Sequence, residues 1–128
     1  MGTARDSSGW AATSFDANAT TTCKLGTCLV FDGIDDYVDA GNPSSLKVTG
    51  GLTVSAWVKT SADGTIVAKN DGIVVQSSYG LDTTGSNARF VISSTGSNAF
   101  TAIGTSNVEN NNWHYIVGVR KSSDCFVY

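Results

Sequence analysis

The chain is 128 residues long, which is enough for one domain with one hydrophobic core. Charged residues make up 15% of it, against about 25% in an average globular protein, and the net charge is −3. A weakly acidic chain without basic clusters is poorly suited to bind nucleic acid or anionic lipid. No apolar run approaches the roughly 20 residues that span a bilayer, so we expect neither a nucleic-acid nor a membrane partner.

The residues that replace the missing charges favour strands and turns. The sequence has 14 glycines and one proline, and it is rich in valine, isoleucine, threonine and aromatic residues. β-branched and aromatic side chains pack well on a pleated surface. No stretch shows an amphipathic helical period over three turns. The composition therefore predicts an all-β protein.

The first half of the chain begins with a polar arm, residues 1–22, which we expect to pack on a domain formed by residues 23–128. Short strands follow at 29–31 and 37–38, separated by an Asp-Gly pair that is typical of tight turns. Residues 52–59 then alternate between apolar and polar side chains, which predicts a half-buried strand. Trp57 is the large exception on the polar side of that strand.

The second half continues with predicted strands at 65–69, 73–78 and 79–81, and with a loop at 83–87. Residues 89–93 and 99–103 predict a hairpin by their spacing and turn chemistry. Residues 113–120 are apolar at their centre, which predicts a central strand covered on both sides, and a last strand starts at 125. About nine or ten short strands joined by brief turns favour an antiparallel β-sandwich.

Three cysteines leave the redox state open. Cys23 and Cys28 are close in sequence, whereas Cys125 is distant. A single C-x4-C pair and one histidine give a weak zinc signal. We expect free thiols, with a Cys23–Cys28 disulfide as the main alternative and a chain-linking role for Cys125 as another.

Four blocks of sequence occur in an order that is familiar from one family. They are residues 31–38 (FDGIDDYV), 52–59 (LTVSAWVK), 64–67 (GTIV) and 112–119 (NWHYIVGV). These blocks resemble laminin G-like domains of the concanavalin A-like jelly-roll superfamily, and the resemblance covers roughly residues 25–128. It implies two stacked antiparallel sheets, an adhesive, scaffolding or carbohydrate-binding role, and an extracellular or cell-surface location, although residues 1–10 lack the apolar core of a signal peptide.

The resemblance also implies strands beyond the one that starts at Cys125. Members of the family normally continue there, and their terminal calcium site, to which Asp6 would contribute, needs that far end. Unpaired sheet edges invite pairing with another chain. We therefore expect a homo-oligomer, most simply a twofold dimer.

Catalysis is not expected. Glycoside hydrolysis needs two carboxyl groups, one with a raised pKa, and the hydrolases of this superfamily carry closely spaced glutamates on one strand. This chain has one glutamate, Glu109, in an asparagine-rich loop. The aspartates at 32, 35, 36 and 39 are interpreted as turn formers, and His114 as a structural histidine.

Calcium is the candidate cofactor, since it prefers six to eight oxygen ligands on loops. The resemblance places Asn70 and Asp71 where related pentraxins hold part of a calcium site, although a plain hairpin turn is favoured there. Asp35 and Asp36 are the second candidate pair.

Carbohydrate binding requires aromatic faces for stacking and polar groups for orientation. The candidates are Trp57, Tyr79, Tyr37 and Gln76, with Trp113, Asn70 and Asp71 as further partners. Core packing is favoured for Trp57 and Trp113. We thus expect a non-catalytic carbohydrate-binding or adhesive module, with a structural protein that makes only protein–protein contacts as the alternative.

Overall fold

The computed structural model of the chain describes residues 13–15, 18–20, 23–69, 78–93, 99–122 and 124–128. The chain divides into two compact units, Met1–Pro43 and Ser44–Tyr128. The described residues contain antiparallel strands and one short 3-10 helix, Ser44–Leu46. Among them, no helix has the length and apolar character needed to cross a membrane.

The N-terminal unit holds two small strand pairs. In one, β1 (Thr13–Phe15) pairs with β4 (Tyr37–Asp39); in the other, β2 (Asn18–Thr20) pairs with β3 (Cys28–Val30). The predicted strands near 29–31 and 37–38 are thereby confirmed. The strands β1 and β2 lie in the polar arm, where the sequence offered no strand pattern.

The C-terminal unit contains two antiparallel sheets. The three-stranded sheet has the order β11 (Asp124–Val127), β10 (His114–Lys121), β5 (Leu52–Val58). The four-stranded sheet has the order β6 (Gly64–Lys69), β7 (Ser78–Thr84), β8 (Asn87–Ser93), β9 (Ala99–Asn107). The expected antiparallel β-sandwich architecture is confirmed.

The hairpins of the four-stranded sheet test the predicted turns. The predicted pairing of 89–93 with 99–103 is confirmed, because Ser93 lies opposite Ala99 and Arg89 opposite Ile103. The predicted loop at 83–87 is wrong. There β7 and β8 are joined by a two-residue turn, Gly85–Ser86, in which both residues have positive φ, 54° and 70°, the geometry that matches the twist of a hairpin. Most of the predicted strand 73–78 lies outside the described residues.

The core lies between the two sheets. Its buried apolar residues are Leu81, Ala88, Phe90, Ile92, Val108 and Ile116. The half-buried residues Leu52, Val54 and Val58 pack against them, so the alternation predicted for residues 52–59 is confirmed. Burying a large apolar side chain contributes about 1.5–3 kcal/mol relative to leaving it exposed.

Gly118 on β10 sets how closely the sheets approach. A Cβ at this position would lie 2.3 Å from Cδ2 and 2.5 Å from Cγ of Phe90, whose ring is fully buried. Real Cβ atoms do not come this close to ring atoms. Glycine is therefore required here by space, because a ring from the opposite sheet fills the place where a side chain would stand.

The cysteines fall into two states. Cys23 and Cys28 form a disulfide, so the expectation of free thiols is wrong for this pair and the alternative holds. Cys125 is free, half-buried and packed against the core. Burial, and secondarily the neighbouring charge of Asp124, raises the pKa of the Cys125 thiol.

The Phe90–Gly118 contact predicts a specific loss of stability. Gly118→Ala should lower the free energy of unfolding by about 1–3 kcal/mol, because the new methyl group overpacks the core. Gly64→Ala is the matched control, since a Cβ there meets nothing within 4 Å. Chemical denaturation measures both. In the double variant with Phe90→Leu the penalty should be smaller than the sum of the single effects. Equal midpoints for the two alanine variants would contradict this account.

Cys125 supplies a second prediction. Since the thiolate is the reactive form, a raised pKa shifts alkylation to higher pH. Iodoacetamide should modify Cys125 several-fold more slowly in the folded protein at pH 8 than in urea. The curve of alkylation rate against pH should be shifted to higher pH in the folded protein. Mass spectrometry under both conditions measures the rates, and identical curves would show that burial does not control this thiol.

Candidate functional site

Among the described residues of the C-terminal unit, the largest group of exposed rings lies on the outer side of the three-stranded sheet. Successive residues of a strand face opposite sides of a sheet, so the residues alternating with the core-facing ones form a second surface. We call this surface the aromatic face. It consists of Thr53, Ser55 and Trp57 on β5, Tyr115, Val117, Val119 and Lys121 on β10, and Asp124, Phe126 and Tyr128 on β11 and directly after it.

Two aromatic residues meet at one end of the face. Trp57 lies directly opposite Tyr115 in the register of β5 and β10. Their ring centroids are 5.3 Å apart, with planes tilted by 37°. The Tyr115 hydroxyl donates a hydrogen bond to Oγ of Ser55 at 3.0 Å. The two side chains are 41% and 52% exposed, so the pair is held in place and still presents ring surface to solvent.

A second aromatic pair lies along the edge strand. Phe126 is opposite Val119, and the Tyr128 backbone exchanges two hydrogen bonds of 2.9 Å with Val117. The two rings have centroids 6.5 Å apart and planes 21° from parallel. Phe126 is 41% and Tyr128 is 74% exposed. Large exposed apolar groups that cluster in this way mark an interaction surface.

The structure corrects two expectations about this sheet. Trp57 was expected to pack in the core, and this is wrong, because its register with Tyr115 places both rings on the side opposite Ile116. β10 is the middle strand, as predicted, but only its core-facing residues Ile116 and Gly118 are buried, whereas Tyr115, Val117 and Val119 on the other side are exposed or half-buried. Trp113, just before β10, is half-buried.

The remaining predicted sugar-binding residues do not join the aromatic face. Tyr79 on β7 packs against the core in the other sheet, and burial raises the pKa of its phenol. Tyr37 is half-exposed on β4 of the N-terminal unit. Gln76, and likewise Asn70 and Asp71 of the first predicted calcium site, lie outside the described residues.

The second predicted calcium pair lies in the loop between β3 and β4. Carboxylate oxygens of Asp32, Asp35 and Asp36 lie within 4.8 Å of one another. Asp32 Oδ1 accepts hydrogen bonds from the backbone N–H of Ile34 and Asp35, at 2.8 and 3.4 Å. Asp36 Oδ2 accepts one from the N–H of Asp32 at 2.8 Å. The loop thus uses two of these carboxylates to stabilise its own turn and leaves Asp35 facing solvent.

The fold also brings together two acidic residues that the sequence did not connect. Hydrogen bonding to Glu109, and then to the backbone at Gly85, lowers the pKa of Asp63. Glu109 Oε1 is buried and has no hydrogen-bond partner among the described residues. No motif links these positions. Asp63 directly precedes β6, whose Gly64 lies opposite Thr83 near the β7–β8 turn. That turn meets the loop after β9, which carries Glu109, because the Val108 N–H donates to the Ser86 carbonyl at 2.9 Å.

Two further polar groups have structural partners. Arg89 binds Asp82 through two hydrogen bonds of 2.8 Å, a bidentate ion pair between neighbouring strands. His114 is half-buried, and its Nε2 lies 2.9 Å from Oδ1 of Asn110. The contact with Asn110 fits the structural role expected of His114.

The comparison with known proteins identifies the family. No curated protein and no solved structure matches the chain significantly. A laminin G-like family model, described as the concanavalin A-like lectin/glucanases superfamily, matches residues 32–128, which is more than half of the chain. The matched region contains both sheets of the C-terminal unit and the whole aromatic face. This chain therefore belongs to the concanavalin A-like lectin/glucanases superfamily.

Proposed function

We propose that this protein is a non-catalytic carbohydrate-binding or adhesive module and that the aromatic face is its ligand surface. The observation that carries the proposal is the exposed, tethered pair formed by Trp57 and Tyr115. Sugar rings have apolar C–H faces that stack on aromatic side chains, and hydroxyl groups that require partners. The pair offers the first kind of contact, and the neighbouring hydroxyls offer the second.

The tether improves the pair as a binding element. Because Tyr115 donates to Ser55, its ring has less freedom to lose when a ligand stacks on it, and ordering a side chain on binding costs about 0.5–1.5 kcal/mol. Ser55 accepts this bond, so its own hydroxyl hydrogen remains available to a ligand. Thr53 places a second hydroxyl on the same strand and the same side.

Three described carboxyl groups of the C-terminal unit, those of Asp63, Asp82 and Glu109, favour binding without catalysis. Glycosidases separate their two carboxyls by about 5–5.5 Å or about 6.5–9.5 Å, and one of them has a raised pKa. The pKa of Asp63 is shifted downward, with Glu109 as the largest cause, and this direction is opposite to the raised pKa that a general acid requires. Asp82 is occupied by Arg89. These carboxyls therefore serve better as structural groups than as an acid–base pair.

The aromatic pair gives the test of the proposed function. Trp57→Ala or Tyr115→Ala should weaken glycan binding about tenfold or more, because stacking area is lost. Tyr115→Phe should have a smaller effect, since it keeps the ring and removes only the bond to Ser55. A glycan array followed by calorimetry measures this. Ile103→Ala is the control, because Ile103 is 56% exposed and lies on the other sheet.

Two outcomes would count against the proposed function. Uniform silence across plant, algal and bacterial polysaccharides would favour a protein that makes only protein–protein contacts. Release of reducing ends from a β-glucan by the pure protein would show that the protein acts as a glucanase.

Calcium at Asp35 and Asp36 remains a prediction. Carboxylates are ligands that calcium prefers, and Asp32 adds a third to the loop; the turn hydrogen bonds provide the competing explanation. If the loop holds calcium, a chelator should lower the midpoint of thermal unfolding, and Asp35→Asn should abolish that response. An unchanged midpoint would contradict calcium binding and would leave turn formation as the role of these carboxylates.

A further inference from the structure

The two strand pairs of the N-terminal unit are nested in sequence. The pair β2–β3 ends with Thr20 opposite Cys28, and it lies within the connection that the pair β1–β4 closes. The innermost residues of that outer pair are Phe15 and Tyr37. Each of these strands is three residues long, so each pair gains few hydrogen bonds by forming.

The Cys23–Cys28 disulfide lies at the inner end of this arrangement. It joins two residues that are 5 apart in sequence, with their Cα atoms 5.7 Å apart, and Cys28 is the first residue of β3. A cross-link removes conformations from the unpaired chain. Residues 21–27, which connect β2 to β3, therefore lose less conformational entropy when these two strands pair.

Burial contributes little to the stability of this unit. None of residues 23–43 is buried, whereas every buried residue of the described hydrophobic core belongs to the C-terminal unit. Several large apolar side chains of the N-terminal unit are 49–86% exposed, namely Leu25, Val30, Phe31, Ile34 and Tyr37. A two-stranded hairpin without a core is marginally stable in water. Such short strands therefore depend on the covalent bond beside them.

We propose that the Cys23–Cys28 bond is a redox-modification site at which a dithiol reductant releases the strand pairing of the N-terminal unit and leaves the C-terminal unit folded. Both cysteines are half-buried, and residues 24–27 between them are exposed, so a reductant can approach the sulfur atoms. The C-terminal unit contains no part of this bond and has its own core, with the Phe90 ring fully buried.

The step transfers two electrons from the dithiol to the protein. A thiolate of the dithiol attacks Sγ of one cysteine, the Cys23–Cys28 bond breaks, and a mixed disulfide forms. The second thiolate of the dithiol then displaces that cysteine, so the reductant leaves as a disulfide. Cys23 and Cys28 end as thiols and take up the two protons that the dithiol has lost. Disulfides persist in oxidising compartments and are reduced where thiol reductants are maintained.

The nested order predicts how the loss spreads. Once β2 and β3 separate, β1 and β4 alone must close residues 16–36, a longer connection than residues 21–27. The entropic cost of closing a loop rises with its length, and three residues on each strand provide little to offset it. The outer pair therefore opens together with the inner pair.

Hydrogen exchange followed by mass spectrometry tests this inference on the full chain, with and without dithiothreitol. Peptides that cover residues 28–39 should exchange about tenfold faster or more after reduction, because the paired amides become open to water. Peptides from β8 and β10 should exchange at unchanged rates. Alkylation with iodoacetamide shows directly whether Cys23 and Cys28 have become thiols.

Two variants serve as controls. Cys125→Ser removes the free thiol and keeps the disulfide, so it should respond to dithiothreitol as the wild type does. The double variant Cys23→Ser/Cys28→Ser should exchange rapidly in residues 28–39 with and without the reductant. If the double variant does not fold, the reduced Cys125→Ser protein still provides the comparison.

Three results would overturn the inference. Failure of dithiothreitol to open the bond in the native protein would show that the sulfur atoms are not accessible. An opened bond with unchanged exchange in residues 28–39 would show that the strands pair without it. Equally accelerated exchange in β8 and β10 would show that the bond supports the whole chain rather than one unit.

Discussion

Close approach of Phe90 to Gly118 governs the arrangement of the C-terminal unit. The Phe90 ring occupies the place that a side chain at position 118 would fill, so the two sheets can meet with a filled core between them. This contact also fixes which residues of β10 point inward. Ile116 and Gly118 face the core, and Tyr115, Val117 and Val119 must therefore face the other way. A register shift of one residue would reverse every one of these orientations.

The aromatic face follows from that orientation. Exposing large rings forgoes the free energy that their burial would contribute, about 1.5–3 kcal/mol for each large apolar side chain. Four exposed rings on one small sheet are therefore not explained by folding stability. The aromatic face is thus a consequence of how the inner side of the same sheet packs.

The acidic residues illustrate a different use of polar groups. Asp32 and Asp36 close a turn through backbone hydrogen bonds, Asp82 pairs with Arg89, and Asp63 meets Glu109 where two loops join. In each case a neighbouring donor or carboxyl already engages the group.

The sequence by itself determined the all-β class, the antiparallel pairing of consecutive strands, the 89–93/99–103 hairpin and the family, because strand alternation and turn residues are local signals that neighbouring residues carry. It also determined the inward face of β5. The same alternation placed Trp57 on the other side of β5. Only the tertiary structure decided that this side is exposed with Tyr115 beside Trp57, that Cys23 and Cys28 are bonded, and that Asp63 lies near Glu109. These relations depend on strand register and on contacts between loops. A single sequence does not show which residues lie opposite each other on neighbouring strands or which loops meet.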